Sequence, residues 1–109
     1  MSEETERRVA RNEALLREVN EGIERGRWPG DDNRSLKFRC ECSNLDCVDT
    51  VPMTRGEYEQ VRSSGRRFAL RPGHELPEYE KIVETGDGYI VIEKQDDAGK
   101  IAEQLDPRG

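Results

Sequence analysis

The chain has 109 residues, of which 32% are hydrophobic and 39% charged, and its mean hydropathy is −1.00. That is one domain with too little apolar surface to offset chain entropy unaided, so a staple is expected: a metal, a set of disulfides or a partner subunit. Eighteen basic against 24 acidic residues give a formal charge of −6, which opposes bulk binding to phosphate backbones; no apolar run long enough to span a membrane and no signal-peptide pattern is present, so the expected location is the cytoplasm.

In chain order, the sequence predicts a helix from about Glu4 to Arg27. Val9, Asn12, Leu16, Val19 and Ile23 recur at alternating spacings of three and four, which aligns one face. Glu3/Arg7, Glu4/Arg8, Glu13/Arg17 and Glu21/Arg25 are acid-before-base pairs one turn apart. Such a narrow stripe is either laid on the rest of the chain or paired with a second helix. Trp28-Pro29-Gly30-Asp31-Asp32-Asn33 reads as a turn or linker, with Trp28 a core anchor or a partly exposed contact residue.

Leu36, Phe38 and Cys40 alternate with Lys37, Arg39 and Glu41, the period of a strand, and Val51 and Met53 suggest a second one. Thr54-Arg55-Gly56-Glu57 fits a capping box opening a short helix that Gly65 breaks, with Tyr58 and Val61 toward the core. Arg66–Arg71 alternates again. Pro77 is expected to start a short helix carrying Tyr79, Ile82 and Val83. Gly86-Asp87-Gly88 is a turn, and Tyr89–Lys94 is the strongest strand pattern in the chain. A last helix from about Asp97 to Leu105 carries Ile101 and Leu105 on one face, followed by a tail from Asp106.

All three cysteines lie in Cys40-x-Cys42-x4-Cys47, and the one histidine, His74, follows a Pro72-Gly73 turn. Three thiols and an imidazole are a complete ligand set for tetrahedral zinc, Zn2+, and an odd cysteine count argues against a disulfide framework. Asn44 and Asp46 suit turn positions in the four-residue loop. Cys40, Cys42, Cys47 and His74 are therefore the expected metal ligands of a structural site. Asp46, Asp49 and Glu75 are the alternatives to His74. An open three-cysteine site, with Glu41 or Glu75 as a base beside the metal, would be the catalytic variant. The fold expected is α+β: a small single zinc-stapled domain with a short antiparallel sheet and an amphipathic N-terminal helix. Residues 1–27 form the helix and 28–109 the zinc-binding domain.

The chain resembles a family of small bacterial proteins common in actinobacteria. The likeness runs through Asn12-Glu13-Ala14-Leu15, Phe38-x-Cys40-x-Cys42-x4-Cys47, Glu57-Tyr58-Glu59-x-Val61-Arg62, Pro72-Gly73-His74-Glu75 and Gly88-Tyr89-x-Val91-x-Glu93-Lys94. It covers nearly the whole chain, lends context to the Cys/His set and implies no activity. Residues 40–47 alone are also similar to the zinc motif that follows SET methyltransferase domains, a likeness that implies only that this spacing holds zinc.

A single histidine, committed to the metal, leaves little acid–base or nucleophilic chemistry, so the chain is not expected to be an enzyme. The function expected is a non-catalytic, zinc-stabilised protein-interaction or regulatory module. Its partner would be a protein, or a second copy through the N-terminal helix. The alternatives are a nucleic-acid-binding zinc protein using Arg62, Arg66, Arg67 and Arg71, which the net charge opposes, and a thiol-based redox sensor. The acidic run from residue 75 to 97 would suit a basic partner.

Overall fold

The computed structural model describes residues 3–25, 34–106 and 108. Helix α1 (Glu3–Arg25) is followed by β1 (Leu36–Arg39), β2 (Thr50–Met53), α2 (Arg55–Arg62), β3 (Arg67–Leu70), β4 (Glu80–Thr85), β5 (Ile90–Lys94) and α3 (Asp96–Gln104). The architecture is α+β, as the sequence predicts, but with two small antiparallel sheets where one was expected: a β1–β2 ribbon and a three-stranded sheet in the order β3-β5-β4. The Trp28–Asn33 turn lies outside the described residues.

The strongest strand pattern becomes the central strand. Ile90, Val91 and Ile92 of β5 are all buried, as expected for a short β-branched run flanked on both edges. In the ribbon, Phe38 faces Val51 across the register and Leu36 faces Met53, and the Phe38 ring stacks on Tyr58 of α2 at 4.4 Å between centroids. The capping box forms: Thr54 Oγ1 accepts from the Glu57 N–H at 3.1 Å, and Glu57 Oε1 accepts from the Thr54 N–H at 2.8 Å. Tyr89 Oη donates to the other Glu57 oxygen at 3.0 Å, so the cap also joins α2 to the start of β5. Gly88, at φ +84°, makes the β4–β5 turn in a conformation open to glycine at little cost.

The expectation of a helix carrying Tyr79, Ile82 and Val83 is corrected. Residues 80–85 are strand β4, not a helix. Leu76 to Glu80 is a turn closed by the Tyr79 and Glu80 N–H groups on the Leu76 carbonyl, and the β-branched Ile82 and Thr85 that follow pair with Ile92 and Ile90 of β5. Beyond α3, Asp106 pairs with the buried Arg62, and Arg108 Nε reaches Glu21 Oε1 at 2.8 Å. On α3 the most buried residues are Gly99 and Ala102, while Leu105 is 40% exposed.

The largest correction concerns α1. It lies against β1 and α3, but its inward face is Val9, Glu13, Arg17, Asn20, Glu21 and Glu24, all buried, while Val19 of the predicted stripe is 45% exposed. Each polar side chain finds a partner in the rest of the chain. Arg17 lies 3.7 Å over the Phe68 ring and donates to the Gly65, Arg67 and Ala102 carbonyls at 2.7, 2.9 and 3.2 Å. Asn20 pairs with the Arg39 backbone in both directions, donating to its carbonyl at 3.0 Å and accepting from its N–H at 2.8 Å. Glu21 pairs with Arg62 and Arg108, so the expected Glu13/Arg17 and Glu21/Arg25 surface pairs give way to tertiary contacts. Asn20→Ala should cost about 2–3 kcal/mol, because it strands the Arg39 amide and carbonyl in a dry seam. Urea unfolding of the variant measures this; a loss below about 0.5 kcal/mol would contradict the pairing.

Candidate metal centre

The site grows from extended chain at the end of β1. Successive side chains in such a segment point to opposite sides, so Cys40 and Cys42 face the same way and Glu41 faces the other. The Cys40 N–H donates to the Asp49 carbonyl at 3.0 Å and closes the base of the loop. Inside it, Asn44 Oδ1 accepts from the Asp46 N–H at 3.0 Å, and the Asn44 carbonyl accepts from the Cys47 N–H at 3.1 Å. These two bonds curl the four intervening residues so that Cys47 returns beside the first pair.

The second half arrives from β3. The Arg71 N–H donates to Cys40 Sγ at 3.3 Å. The Arg71–His74 turn follows, closed by a 3.1 Å bond from the His74 N–H to the Arg71 carbonyl, with Gly73 at φ +90°. It brings His74 Nδ1 to 3.6 Å from Cys40 Sγ and 3.7 Å from Cys47 Sγ. The ligand atoms of Cys40, Cys42, Cys47 and His74 all lie within 4.8 Å of one another. A tetrahedral centre with metal–sulfur bonds near 2.3 Å and a metal–nitrogen bond near 2.0 Å has S···N edges of about 3.6 Å. The Cys40 and Cys47 separations from His74 are close to that value, and the donor set is compatible with a single tetrahedral cation.

Among the described residues, the metal-competent group at this site contains none of Asp46, Asp49 and Glu75, the alternative fourth ligands. Asp49 instead stands behind the ring, its Oδ2 3.6 Å from His74 Nε2, the place from which a carboxylate orients a ligating histidine.

The charge state suits a cation. A hydrogen bond from Cys40, helped by His74 and the Asn44 backbone, lowers the Cys42 thiol to about 5. Making that bond, together with burial, raises Cys40, and burial raises Cys47. One thiolate and two reluctant thiols share a tight site, and a metal ion would bind with release of their protons.

Glu41, the expected base of an open catalytic variant, is turned away from the cluster. It is fully buried and accepts from Tyr58 Oη at 2.7 Å, Asn20 Nδ2 at 2.8 Å and the Ala69 N–H at 3.0 Å. Glu41, between Cys40 and Cys42, therefore fastens α1, α2 and β3 to the cysteine segment. Ser43, just after Cys42, extends the fastening on the other side. Its Oγ donates to Glu80 Oε2 at 3.1 Å and accepts from Lys94 Nζ at 3.3 Å. Asn20 and Ser43 were not singled out by the sequence, and the supporting bonds of Glu41 and Tyr58 were not foreseen. Their types are ordinary, and only the fold reveals their partners.

No protein-family model matches the chain, and no curated protein or solved structure is significantly similar to it.

Proposed function

We propose that Cys40, Cys42, Cys47 and His74 hold one zinc ion in a closed structural site, and that the chain is a non-catalytic interaction module stapled by that metal. The observation that carries this reading is the convergence of three thiols and one imidazole nitrogen within 4.8 Å. Closed Cys3His sets are characteristic of structural zinc, whereas catalytic sites keep a position for water or substrate. The inward commitment of Glu41 favours the same reading, because it takes the nearest carboxylate away from any metal-bound water. On this reading the Cys40-x-Cys42-x4-Cys47 and Pro72-Gly73-His74-Glu75 motifs, through which the chain resembles the small bacterial family, are the two halves of one site.

The pairing of the arginine cluster supports a protein partner over a nucleic acid. Arg62 is buried against Glu21 and Asp106; Arg66 meets Glu103 at 2.8 Å, Arg67 meets Glu93 at 3.6 Å and Arg71 meets Asp49 at 3.9 Å. Positive charges so matched offer little to a phosphate backbone.

Metal analysis of the purified protein should return close to one zinc per chain. His74→Ala should keep the thiols but lose zinc to a competing chelator at least about tenfold more readily, since even outer-shell changes weaken metal sites by about 10–100-fold. Metal-free protein, or a variant that retains zinc as tightly as the parent, would overturn the assignment.

A further inference from the structure

The outward face of α1 carries Glu4, Arg11, Glu18 and Arg25, all exposed and spaced seven residues apart. None of the four makes an ion pair among the described residues. At 1.5 Å per residue, neighbours in this series stand about 10.5 Å apart along the helix, in a stripe that drifts by about 20° per heptad, the drift a left-handed supercoil of two helices absorbs. Their charges alternate in sign. Beside them Leu15 is 58% exposed and Val19 45% exposed, and a shallow groove lined by Arg11, Ala14, Leu15, Glu18 and Leu105 opens between α1 and the end of α3.

We infer that this face pairs with the same face of a second copy, the two α1 helices running antiparallel about a two-fold axis between residues 14 and 15. The inference rests on reading the chain as an interaction module and names its partner. In that register each residue meets the one whose number completes 29. Glu4 then faces Arg25 of the other copy, Arg11 faces its Glu18, and both contacts repeat across the axis, as an isologous interface requires.

The same pattern rejects the alternatives. Parallel helices would set each charge against its own kind. A slip by one heptad would oppose Glu4 to Glu18 and Arg11 to Arg11, or Arg11 to Arg25 and Glu18 to Glu18. Opposed like charges on helix seams select register and orientation by repulsion. At the axis, Leu15 of each copy meets the groove of the other, where Ala14 leaves room and Leu105 adds apolar surface. One matched register, with exposed leucines at its centre, distinguishes this face from a merely solvated one.

The test is sedimentation of the zinc-loaded full chain over a range of concentrations, with zinc measured on the same samples. The expected species has twice the 12.5 kDa chain mass and weakens with added salt. Arg11→Glu alone and Glu18→Arg alone should each weaken self-association by about tenfold or more. An equimolar mixture of the two variants should restore a dimer, because every seam contact is again between opposite charges. Leu15→Glu should abolish dimerisation with circular dichroism unchanged, since the side chain is exposed. A chain that stays monomeric throughout, or single variants that associate like the parent, would overturn the inference. A monomer that still carries one zinc per chain defeats the pairing alone, whereas a chain without zinc contradicts the metal reading.

Discussion

Stripping the metal with a strong chelator should unfold the whole chain, seen as loss of far-UV circular dichroism from helices and strands together. The reason is a comparison of sizes. Structural zinc contributes about 10–16 kcal/mol of apparent folding free energy in zinc-finger peptides at neutral pH, and an entire small domain is stable by only about 5–15 kcal/mol. Here the metal would join the end of β1 to the end of β3, two segments also linked by the Glu41 N–H on the Ala69 carbonyl at 2.8 Å, by the Glu41 carboxylate and by the Arg71 N–H on Cys40 Sγ. Cys42→Ser should reproduce the effect without chelator. The transition should be reversed by added zinc in the parent and not in the variant. Because Cys40 and Cys47 must lose their protons on binding, with both thiols already raised by their surroundings, retention of the metal should weaken as pH falls. Native-like dichroism in metal-free protein would contradict this.

The second large effect belongs to Lys94. Its side chain is 7% exposed, and its ammonium lies 2.6 Å from Glu80 Oε2 and 3.0 Å from Glu13 Oε2. Burial works against its charge, but the two carboxylates overcome that and raise its pKa. Lys94→Met would leave two buried carboxylates facing each other without a cation, and breaking a buried pair in this way costs about 3–5 kcal/mol. Urea unfolding of the zinc-loaded variant should show that loss near neutral pH, and the gap to the parent should narrow toward acid, where the stranded carboxyls take up protons.

Glu13→Gln should behave oppositely. Burial, partly offset by Lys94, raises the Glu13 carboxyl to about 7 from an ordinary 4.5. A raised carboxyl binds its proton more tightly in the folded state, so its contribution is most favourable below pH 4.5 and is lost as pH climbs from there to 7. Replacing it by glutamine should flatten the stability profile across that window and recover up to about 3 kcal/mol at pH 7 and above. A glutamine variant with the parent's slope would contradict the assignment.

The Cys/His cluster was legible because its spacing in the sequence is itself the chemical statement: Cys40, Cys42, Cys47 and His74 lie together and have few uses in combination other than holding a metal. β5 and the Thr54 capping box were legible for a similar reason, since β-branched runs and cap residues act locally. The inward face of α1 was not. Glu13, Arg17, Asn20 and Glu24 recur at helical spacing just as the apolar stripe does, but a polar period is the ordinary mark of a solvated face. What buries it is tertiary: open carbonyls at Arg39, Gly65, Arg67 and Ala102, the Phe68 ring and the lone ammonium of Lys94. The low apolar content that pointed to a staple is thus met in two ways, by a metal-competent cluster and by a buried polar seam. β4 was missed because Pro77 suits both a helix start and a turn, and the β-branched Ile82 and Thr85 take strand form by pairing with Ile92 and Ile90 of β5, with Val83 at a register shift between them. The ion pairs of the arginine cluster were not legible, because its acidic partners come from α1, β5, α3, Asp106 and the Cys47–Thr50 segment, distant in sequence.

X-ray absorption at the zinc edge, on protein purified without added chelator, tests the central claim most directly. The expected first shell is three sulfurs at about 2.3 Å and one nitrogen at about 2.0–2.1 Å, with the nitrogen shell lost in His74→Ala. A shell of oxygen and nitrogen alone, or the absence of bound zinc, would contradict the claim that these four residues staple the fold.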